Sequence, residues 1–425
     1  MNTVKNTKIG VIGTGYVGLP LAIAFGHKFP TVGFDINQKR INELKKGIDA
    51  TKEVSKKEIL ASKQLLFSSE TADLEKCNFF VIAVPTPIDD FKVPDFTPLI
   101  SASMLVGKAL KRDAVVVYES TVYPGATEEI CVPVLEKESK LKFNKDFFVG
   151  YSPERINPAD KEHRVENIVK VTSGSTPAVG KYIDSVYQQI IKVGTFLVEN
   201  IKTAEACKVV ENTQRDLNIA FMNEISILME KLGVDTQELL AAMKTKWNAL
   251  NYFPGLVGGH CIGVDPYYLI HKAYSLGLDM KIARSARVVN DQMTGHIAKL
   301  LVAKMCQKKI NPGTSRVLIL GVTFKENCPD IRNARSFDIA NELVEFGVKV
   351  DFFDPLANKE EVQKEYGVSL LEKVKMGFYD GIILAVAHDQ FKKWGIKKIK
   401  KNAKKNHVIF DVKAIFDKKV TDLRL

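Results

Sequence analysis

The sequence has no apolar run long enough to cross a lipid bilayer, which takes about 20 residues. Its longest nearly apolar stretch covers residues 17–26 and contains Pro20. The first eight residues are polar and lack the apolar core of a signal peptide. We therefore expect a cytoplasmic protein without a membrane partner.

Paired cysteines are missing as well. The six cysteines are scattered along the chain and form no CxxC motif. This distribution fits neither a disulfide framework nor a structural zinc site, so we expect no bound metal. A single cysteine in a special local setting is the remaining possibility.

Acidic residues are fewer than basic ones, 50 against 61, which gives a formal net charge of +11. This balance suits acidic ligands such as nucleotides, nucleotide sugars or nucleic acid. Residues 392–405 contain eight lysines, but only Phe391 and Trp394 could stack on bases there. We predict a solvated helix face rather than a nucleic-acid site.

Short apolar runs alternate with helical patterns in both halves of the chain, which predicts doubly wound parallel sheets. The predicted strands are residues 8–12, 31–34, 79–84, 114–118, 147–151, 317–320, 348–353, 381–386 and 408–412. Between the two halves, residues 202–232 carry apolar side chains at helical spacing without Pro or Gly. A helix this long should bridge two domains and pack against a second subunit; two shorter helices in one domain are the alternative.

We thus predict an α/β protein with two Rossmann-like doubly wound domains, joined by a central helical domain that contains the long helix. The predicted boundaries are 1–200, 201–305 and 306–425. The expected assembly is a homodimer or a higher homo-oligomer.

A GxGxxG motif follows the first predicted strand and opens a helix, with Asp35 22 residues after Gly13. Gly13 permits a tight turn, Gly15 lets the backbone approach a pyrophosphate, and Gly18 lets the helix pack closely on the strand. Asp35 would bind the adenosine ribose and repel a 2′-phosphate, which favours NAD, although Arg40 could accommodate that phosphate. The second α/β domain has no such motif and should bind another ligand.

Cys261 follows Gly258, Gly259 and His260 and precedes Gly263 by two positions. An accessible backbone of this kind indicates a thiol that could attack an aldehyde, provided that a nearby cation stabilises the thiolate. A structural cysteine in a glycine-rich turn is the alternative. A metal pair formed with His260 would lack a second pair of ligands.

Three polar residues, Lys208, Asn212 and Arg215, share a face of the predicted long helix. A lysine, an amide and a guanidinium can stabilise an anion; an ordinary polar helix face is the alternative. Polar loops at residues 118–125, 152–155 and 324–327 follow predicted strands, where ligands gather in α/β sheets. Together with the glycine motif, they favour an enzyme with two ligands.

In this order, the motifs resemble the UDP-glucose/GDP-mannose dehydrogenase family over essentially the whole chain. The matching segments are residues 13–18, 84–87, 119–121, 153–154, 258–265 and 325–332, with Lys208 and Asn212. The resemblance implies a three-domain subunit, a dimer built on the long helix, NAD in the N-terminal domain and UDP in the C-terminal domain.

The resemblance also assigns roles to single residues. It implies that NAD contacts Tyr16, Val17, Asp35, Arg40, Thr86, Thr121 and Arg332. It places on the sugar-nucleotide side Glu154, Arg155, Lys208, Asn212, Arg215, Gly258 and Lys325. Cys261 matches the catalytic nucleophile and Asp265 the acid four residues later; Thr121, Glu154, Lys208 and Asn212 complete the implied catalytic group.

The implied reaction oxidises C6 of a UDP-sugar twice, through a thiohemiacetal and a thioester on Cys261. Lys208 and Asn212 would stabilise the oxyanion, and a water near Asp265 or Glu154 would hydrolyse the thioester. Three candidates for the base that takes the alcohol proton are Lys208, Glu154 and a water molecule.

The signature around Cys261 bears on the sugar. UDP-glucose members carry GGSCFPKD, whereas this chain has GGHCIGVD. The second form resembles the UDP-N-acetylglucosamine and UDP-N-acetylgalactosamine 6-dehydrogenases of surface-polysaccharide pathways, and the motifs do not decide the C4 configuration. UDP-glucose and UDP-N-acetylmannosamine are the alternative substrates. A one-step hydroxyacid dehydrogenase, which needs no thiol, and a non-catalytic nucleotide-sugar sensor are alternatives of other classes.

Overall fold

A computed structural model describes residues 3–89, 91–155, 164–259 and 261–425. The chain divides into two compact units, Met1–Glu211 with Tyr267–Leu278 and Asn212–Pro266 with Asp279–Leu425. Two of these divisions fall within long helices.

The first unit is built, over its described residues, on an eight-stranded sheet. Its strands are β1 Ile9–Ile12, β2 Thr31–Phe34, β3 Leu65–Ser68, β4 Phe79–Ile82, β5 Ala114–Tyr118, β6 Phe147–Tyr151, β7 Lys170–Gly174 and β8 Thr195–Leu197. Their order is β3-β2-β1-β4-β5-β6-β7-β8, and every pair is parallel except β6 with β7. The order of β1 to β6 is the Rossmann order, with its reversal between β1 and β4.

Helices lie between most consecutive strands of this unit. They are α1 Gly18–Gly26, α2 Gln38–Lys45, α3 Lys56–Ala61, α4 Thr71–Leu74, α5 Thr97–Ala109, α6 Val132–Ser139 and α7 Pro177–Tyr187. One core cluster packs Leu21 and Phe25 of α1 with Ile183 of α7 against Val11 and Val81 of the sheet. The strands β3, β7 and β8 were not predicted.

The middle of the chain is helical, with α8 Ile201–Leu232, α9 Thr236–Lys244, α10 Cys261–Ser275 and α11 Lys281–Gln307. α8 is one continuous helix of 32 residues, so the predicted long helix is confirmed and the alternative of two shorter helices is wrong.

The second unit carries a five-stranded parallel sheet among its described residues. Its strands are β9 Arg316–Leu320, β10 Lys349–Phe353, β11 Tyr379–Leu384, β12 Ala403–Asp411 and β13 Leu423–Arg424, and its helices are α12 Arg335–Glu345, α13 Lys359–Tyr366 and α14 Asp389–Lys400. The strand order is β10-β9-β11-β12-β13, which reverses between β9 and β11. The predicted α/β class with two Rossmann-like sheets is confirmed.

The lysine run at residues 392–405 is not one helix. α14 ends at Lys400, and Lys404 and Lys405 lie in β12. Most of these lysines are exposed, so the prediction of a solvated face holds although the prediction of a single helix is wrong. No helix among the described residues combines the length and apolarity needed to cross a membrane. In the same residues, no group of three His, Cys, Asp or Glu side chains could hold a metal ion.

Candidate active site

The turn between β1 and α1 depends on its glycines. Gly13 has a φ of +93°, and a Cβ there would lie 2.5 Å from the carbonyl oxygen of Ala83. A Cβ at Gly18 would lie 1.9 Å from the carbonyl oxygen of Gly13. A Cβ at Gly15 would meet nothing within 4 Å, so this position faces open space where a ligand can approach the backbone. Tyr16 and Val17, the two residues before α1, are half-buried.

Asp35 follows β2 and is held by the same turn. One of its carboxylate oxygens accepts hydrogen bonds from the backbone N–H of Thr14 at 2.9 Å and from the Thr14 hydroxyl at 2.8 Å. The other accepts from the backbone N–H of Asn37 at 2.9 Å. A carboxylate fixed at this point can accept hydrogen bonds from ribose hydroxyls.

Arg40 is engaged by the protein itself. Its guanidinium donates to the carbonyl oxygen of Thr14 from Nε at 3.1 Å and from Nη2 at 2.9 Å, and it pairs with Asp49 at 2.7 Å. Burial raises the pKa of Asp49, but hydrogen bonds from Thr51, Arg40 and Val54 outweigh burial and leave that pKa lowered. Because Arg40 braces the glycine turn, the arrangement favours NAD over a cofactor with a 2′-phosphate.

The loops after β4 and β5 are joined by Ser120. Its hydroxyl accepts a hydrogen bond from the backbone N–H of Val84 at 3.0 Å and donates one to the carbonyl oxygen of Val84 at 2.8 Å. Thr86 is buried in the first loop, and Thr121 is half-buried in the second. The open side of Gly15, the positive end of the α1 helix dipole and the carboxylate of Asp35 fit the pyrophosphate and ribose of NAD.

A buried ionic cluster lies beneath the loop after β6. Lys170 donates to Glu119 at 2.6 Å and to the carbonyl oxygen of Pro153 at 3.1 Å, and its Nζ lies 4.0 Å from Oε2 of Glu154. Tyr187 donates a short hydrogen bond to Glu119. Burial raises the pKa of Glu119, and repulsion from Glu154 adds to this, while Lys170 opposes it. Sequence analysis missed Lys170 because the polar strand β7 carries little hydrophobic signal.

The first part of α8 contacts the loop after β6 through two further predicted residues, Lys208 and Arg155. Lys208 is buried and donates to the carbonyl oxygen of Glu154 at 2.7 Å. Arg155 pairs with Glu211 at 2.8 Å and reaches the sulfur of Cys207 at 3.1 Å. The structure therefore brings Lys208 to the loop that holds Glu154, and Arg155 to the next turn of the helix.

In the second unit, Cys261 is the first residue of α10 and is half-buried. Asp265 lies one turn later on the same face and is fully buried. Asn212, also buried, donates a hydrogen bond of 2.5 Å to Oδ2 of Asp265. The positive end of the helix dipole favours an anionic group at the position of Cys261. His260 lies outside the described residues.

The glycines before Cys261 pack against the segment that leads into α12. A Cβ at Gly258 would lie 2.7 Å from the carbonyl oxygen of Asn333. Gly259 has a φ of +76°, and its carbonyl accepts from the Asn333 amide at 3.3 Å. Arg335 donates to the carbonyl of Val257 at 3.0 Å. These contacts hold the backbone that precedes the thiol.

A small pocket adjoins this segment at the carboxyl ends of β9, β11 and β12. It is lined by Leu256, Gly258, Thr323, Phe324, Lys325, Arg335, Ser336, Ala385, Val386 and Lys413. Three of these described residues are cationic and none is acidic, which suits a diphosphate. The buried hydroxyl of Ser336 has no hydrogen-bond partner among the described residues and can serve a ligand. Arg335, Ser336 and Lys413 were not predicted, since no spacing in the sequence links them.

Two other predicted residues, Arg332 and Arg215, are not among the residues that line that pocket. Arg332 is half-buried and makes a bidentate pair with Asp330, with both Nε distances at 3.0 Å. Arg215 is exposed, whereas Lys208 and Asn212 are buried. The three residues predicted to share a face of α8 therefore differ in exposure to solvent: two are buried and one is exposed.

A Rossmann sheet with a dinucleotide turn, a second α/β sheet with a cationic pocket, and a cysteine at a helix start together define an NAD-dependent dehydrogenase with a phosphorylated second ligand. Profiles of the UDP-glucose/GDP-mannose dehydrogenase family match the chain as the NAD binding domain at residues 7–191, the central domain at 202–292 and the UDP binding domain at 318–418.

The chain is 55% identical over 421 residues to the UDP-N-acetyl-D-glucosamine 6-dehydrogenase of Pseudomonas aeruginosa, covering 99% of this chain and 100% of that protein. It is 53% identical over 422 residues to the protein of the same name from Salmonella typhi, covering 99% of each. A solved structure of a UDP-N-acetylmannosamine dehydrogenase from Pyrococcus horikoshii has a TM-score of 0.89 at 30% identity, covering 98% of each chain.

The chain therefore belongs to the UDP-glucose/GDP-mannose dehydrogenase family, and the predicted family is confirmed. It is an NAD-dependent enzyme of the UDP-sugar dehydrogenase class.

Proposed function

We propose that the protein oxidises the C6 hydroxyl of a UDP-N-acetylhexosamine, UDP-N-acetylglucosamine or UDP-N-acetylgalactosamine, to the uronic acid. The observation that carries the chemistry is the start of α10. Cys261 stands there one turn before the buried Asp265, which accepts the hydrogen bond of Asn212. A dehydrogenase that performs a single oxidation needs no thiol. Oxidation to a carboxylate takes two steps, and a thiol can hold the intermediate covalently between them.

NAD, when bound, supplies the hydride acceptor for each of the two oxidations. The thiolate of Cys261 adds to the C6 aldehyde and forms a thiohemiacetal. Loss of the second hydride and of the hydroxyl proton leaves a thioester on Cys261. Water then adds to the thioester carbon, the carbon–sulfur bond breaks to release the carboxylate and restore the Cys261 thiolate, and both protons of the water pass to solvent.

The other predicted side chains take supporting roles in this proposal. Lys208 and Asn212, one turn apart on α8, donate to the oxyanion that develops at C6, where preorganised donors lower the barrier most. Asp265 or Glu154 activates the hydrolytic water. Lys208, Glu154 or a water takes the alcohol proton, and Thr121 and Arg332 complete the NAD side.

The choice of sugar rests on the relatives and on the Cys261 signature. The two relatives at 55% and 53% identity are named for UDP-N-acetyl-D-glucosamine, whereas the solved structure named for the mannosamine substrate is 30% identical. The signature GGHCIGVD also departs from the GGSCFPKD of UDP-glucose members. The cationic pocket of Lys325, Arg335 and Lys413 supports binding of the UDP diphosphate. The product would serve as a cytoplasmic precursor of a surface polysaccharide.

We also propose three domains, 1–200, 201–305 and 306–425, and a homodimer built on α8. The surface of this helix supports the dimer, because several of its large apolar side chains are exposed. Phe221, Leu228 and Leu232 are 55%, 49% and 62% exposed, while Asp216 and Asn223 on the same helix are fully buried. Replacing Phe221 and Leu228 together by Glu should convert the dimer to monomers in light scattering, and an unchanged mass would contradict the interface.

The function is tested by following NADH absorbance with the purified protein, NAD and one UDP-sugar at a time. UDP-N-acetylglucosamine, UDP-N-acetylgalactosamine, UDP-N-acetylmannosamine and UDP-glucose are compared. Two NADH per sugar with one of the first two supports the proposal. A preference for either of the others contradicts the assigned sugar, and no NADH with any of them contradicts the reaction.

The role of the thiol is tested with Cys261→Ser, and Cys306→Ser serves as the matched control because Cys306 is exposed on α11. The Cys261 variant should form no uronic acid, while the control should turn over like the wild type. An unchanged yield of uronic acid from Cys261→Ser would contradict the mechanism with a covalent intermediate on Cys261.

A further inference from the structure

His388 is a buried histidine between β11 and α14, 1% exposed, to which the reaction above assigns no role. Its Nδ1 lies 3.0 Å from the backbone nitrogen of Asn327, and its Nε2 lies 3.0 Å from a carboxylate oxygen of Asp354. All three residues belong to the second unit.

The partners of the ring fix its tautomer. Nδ1 must accept, because the backbone of Asn327 can only donate, so the neutral ring carries its proton on Nε2 and donates it to Asp354. The same oxygen of Asp354 accepts the backbone N–H of Val322 at 2.7 Å. Burial raises the pKa of Asp354, but hydrogen bonds from His388 and the backbone outweigh burial and leave that pKa lowered, so the carboxylate remains a charged acceptor.

The histidine thereby holds both ends of one short loop. Nε2 also lies 3.2 Å from the hydroxyl of Thr323, which donates to the carbonyl of Lys325 at 2.9 Å. At the other end, Asn327 takes a left-handed φ of +58°, and its side chain accepts the backbone N–H of Asp389 at 3.0 Å. Lys325 sits between these anchors and lines the cationic pocket.

We propose that His388 is a positioning residue that fixes residues 323–327 and thereby presents Lys325 to the diphosphate of the sugar nucleotide. This inference rests on the proposed function, because it takes the cationic pocket as the UDP site. His388 does not touch the ligand; it acts through the backbone of Asn327 and the hydroxyl of Thr323. A purely structural histidine would instead affect folding without a selective effect on nucleotide affinity.

Two substitutions distinguish the contributions of the two ring nitrogens of His388. In His388→Asn, the side-chain oxygen takes the place of Nδ1 and can still accept from Asn327. In His388→Gln, the terminal amide takes the place of Nε2 and can still donate to Asp354, but the acceptor for Asn327 is lost. His407→Gln, in the same unit, serves as a control for substitution of a histidine there.

UDP is titrated into the full-length wild type and each variant by calorimetry, and turnover is measured in parallel. We expect His388→Gln to raise the Kd for UDP and the KM for the UDP-sugar about tenfold, and His388→Asn less than about threefold, as loss or retention of one hydrogen bond implies. The KM for NAD and the kcat at saturating sugar should stay within about twofold of wild type in both variants.

An affinity for UDP in His388→Gln equal to that of the wild type would overturn this inference and leave the proposed function intact. An equal loss of UDP affinity in both variants, with lower melting temperatures in both, would also overturn it, because the Asn327 acceptor would then not be what matters. Failure of the wild type to bind UDP would overturn the proposed function and the inference with it.

Discussion

The side-chain amide of Asn212 donates to Oδ2 of Asp265 over 2.5 Å, and both side chains are buried. A carboxylate can only accept, so this contact fixes the amide with its nitrogen towards Asp265. The nitrogen carries a second hydrogen that can donate to an oxyanion. Asp265 thus orients the group to which we assign stabilisation of the developing charge.

Replacing Asn212 by Ala should lower kcat about 100-fold with a smaller effect on KM, because one oxyanion donor is lost. Asn212→Asp should be at least as damaging, since it places two carboxylates in contact. Steady-state NADH formation with UDP-N-acetylglucosamine measures both. Asn218→Ala, on the same helix, is the control, and a kcat within about twofold of wild type for Asn212→Ala would contradict the role.

The glycines of the nucleotide turn should separate stability from cofactor binding. Gly15→Ala meets open space and no positive φ, so we expect a stability change within about 0.5 kcal/mol but a KM for NAD at least about tenfold higher. Gly18→Ala places a Cβ 1.9 Å from a carbonyl oxygen and should destabilise the protein by about 1–3 kcal/mol. Thermal unfolding and NAD kinetics test both; an unchanged KM for NAD in Gly15→Ala would refute the expected approach of the pyrophosphate.

Lys170 is the cation of the buried cluster with Glu119. Lys170→Met leaves that carboxylate buried without its partner and should cost about 3–5 kcal/mol of unfolding free energy. Burial raises the pKa of Glu119, so the difference should shrink as pH falls and the carboxyl group becomes neutral. Urea unfolding at several pH values measures this, with Lys170→Arg as the charge-preserving control. A loss that does not vary with pH would argue against an uncompensated charge.

Glu205 should make stability fall as pH rises. Burial raises its pKa from 4.5 to about 7, although the backbone N–H groups of Gly125 and Thr127 donate to it and oppose the shift. The folded state therefore binds a proton more tightly than the unfolded chain, so this stability is present below about pH 4.5 and is lost as pH rises to about 7.

Glu205→Gln carries no titratable proton and should lack this slope. Relative to the wild type, its unfolding free energy should gain on the order of 3 kcal/mol at most between pH 4.5 and 7. Melting temperatures of both proteins across that range test the expectation. Parallel profiles would show that Glu205 is not the group responsible.

Much of the fold follows from local pattern. Strands β1, β4, β5 and β9 are runs of apolar residues buried on both faces, and such runs can be recognised without knowing their neighbours. β7 and β8 could not be found this way, since they are short and partly polar and are strands only because β6 and β7 offer paired backbone groups. The lysine run does not form one helix, because β12, which pairs with β11 at Ala403 and from Val408 onward, includes Lys404 and Lys405.

The candidate site divides in the same manner. The sequence by itself determined the glycine turn with Asp35 and the isolated cysteine of the GGHCIGVD segment, because each of these signals is contained within a stretch of about twenty residues or fewer. Tertiary structure alone decided that Asp265 accepts from Asn212, that Arg40 braces the glycine turn, and that His388 reaches the loop of Lys325. Those partners are 26 to 61 residues apart, and only the packing of helices and sheet brings them within hydrogen-bonding distance.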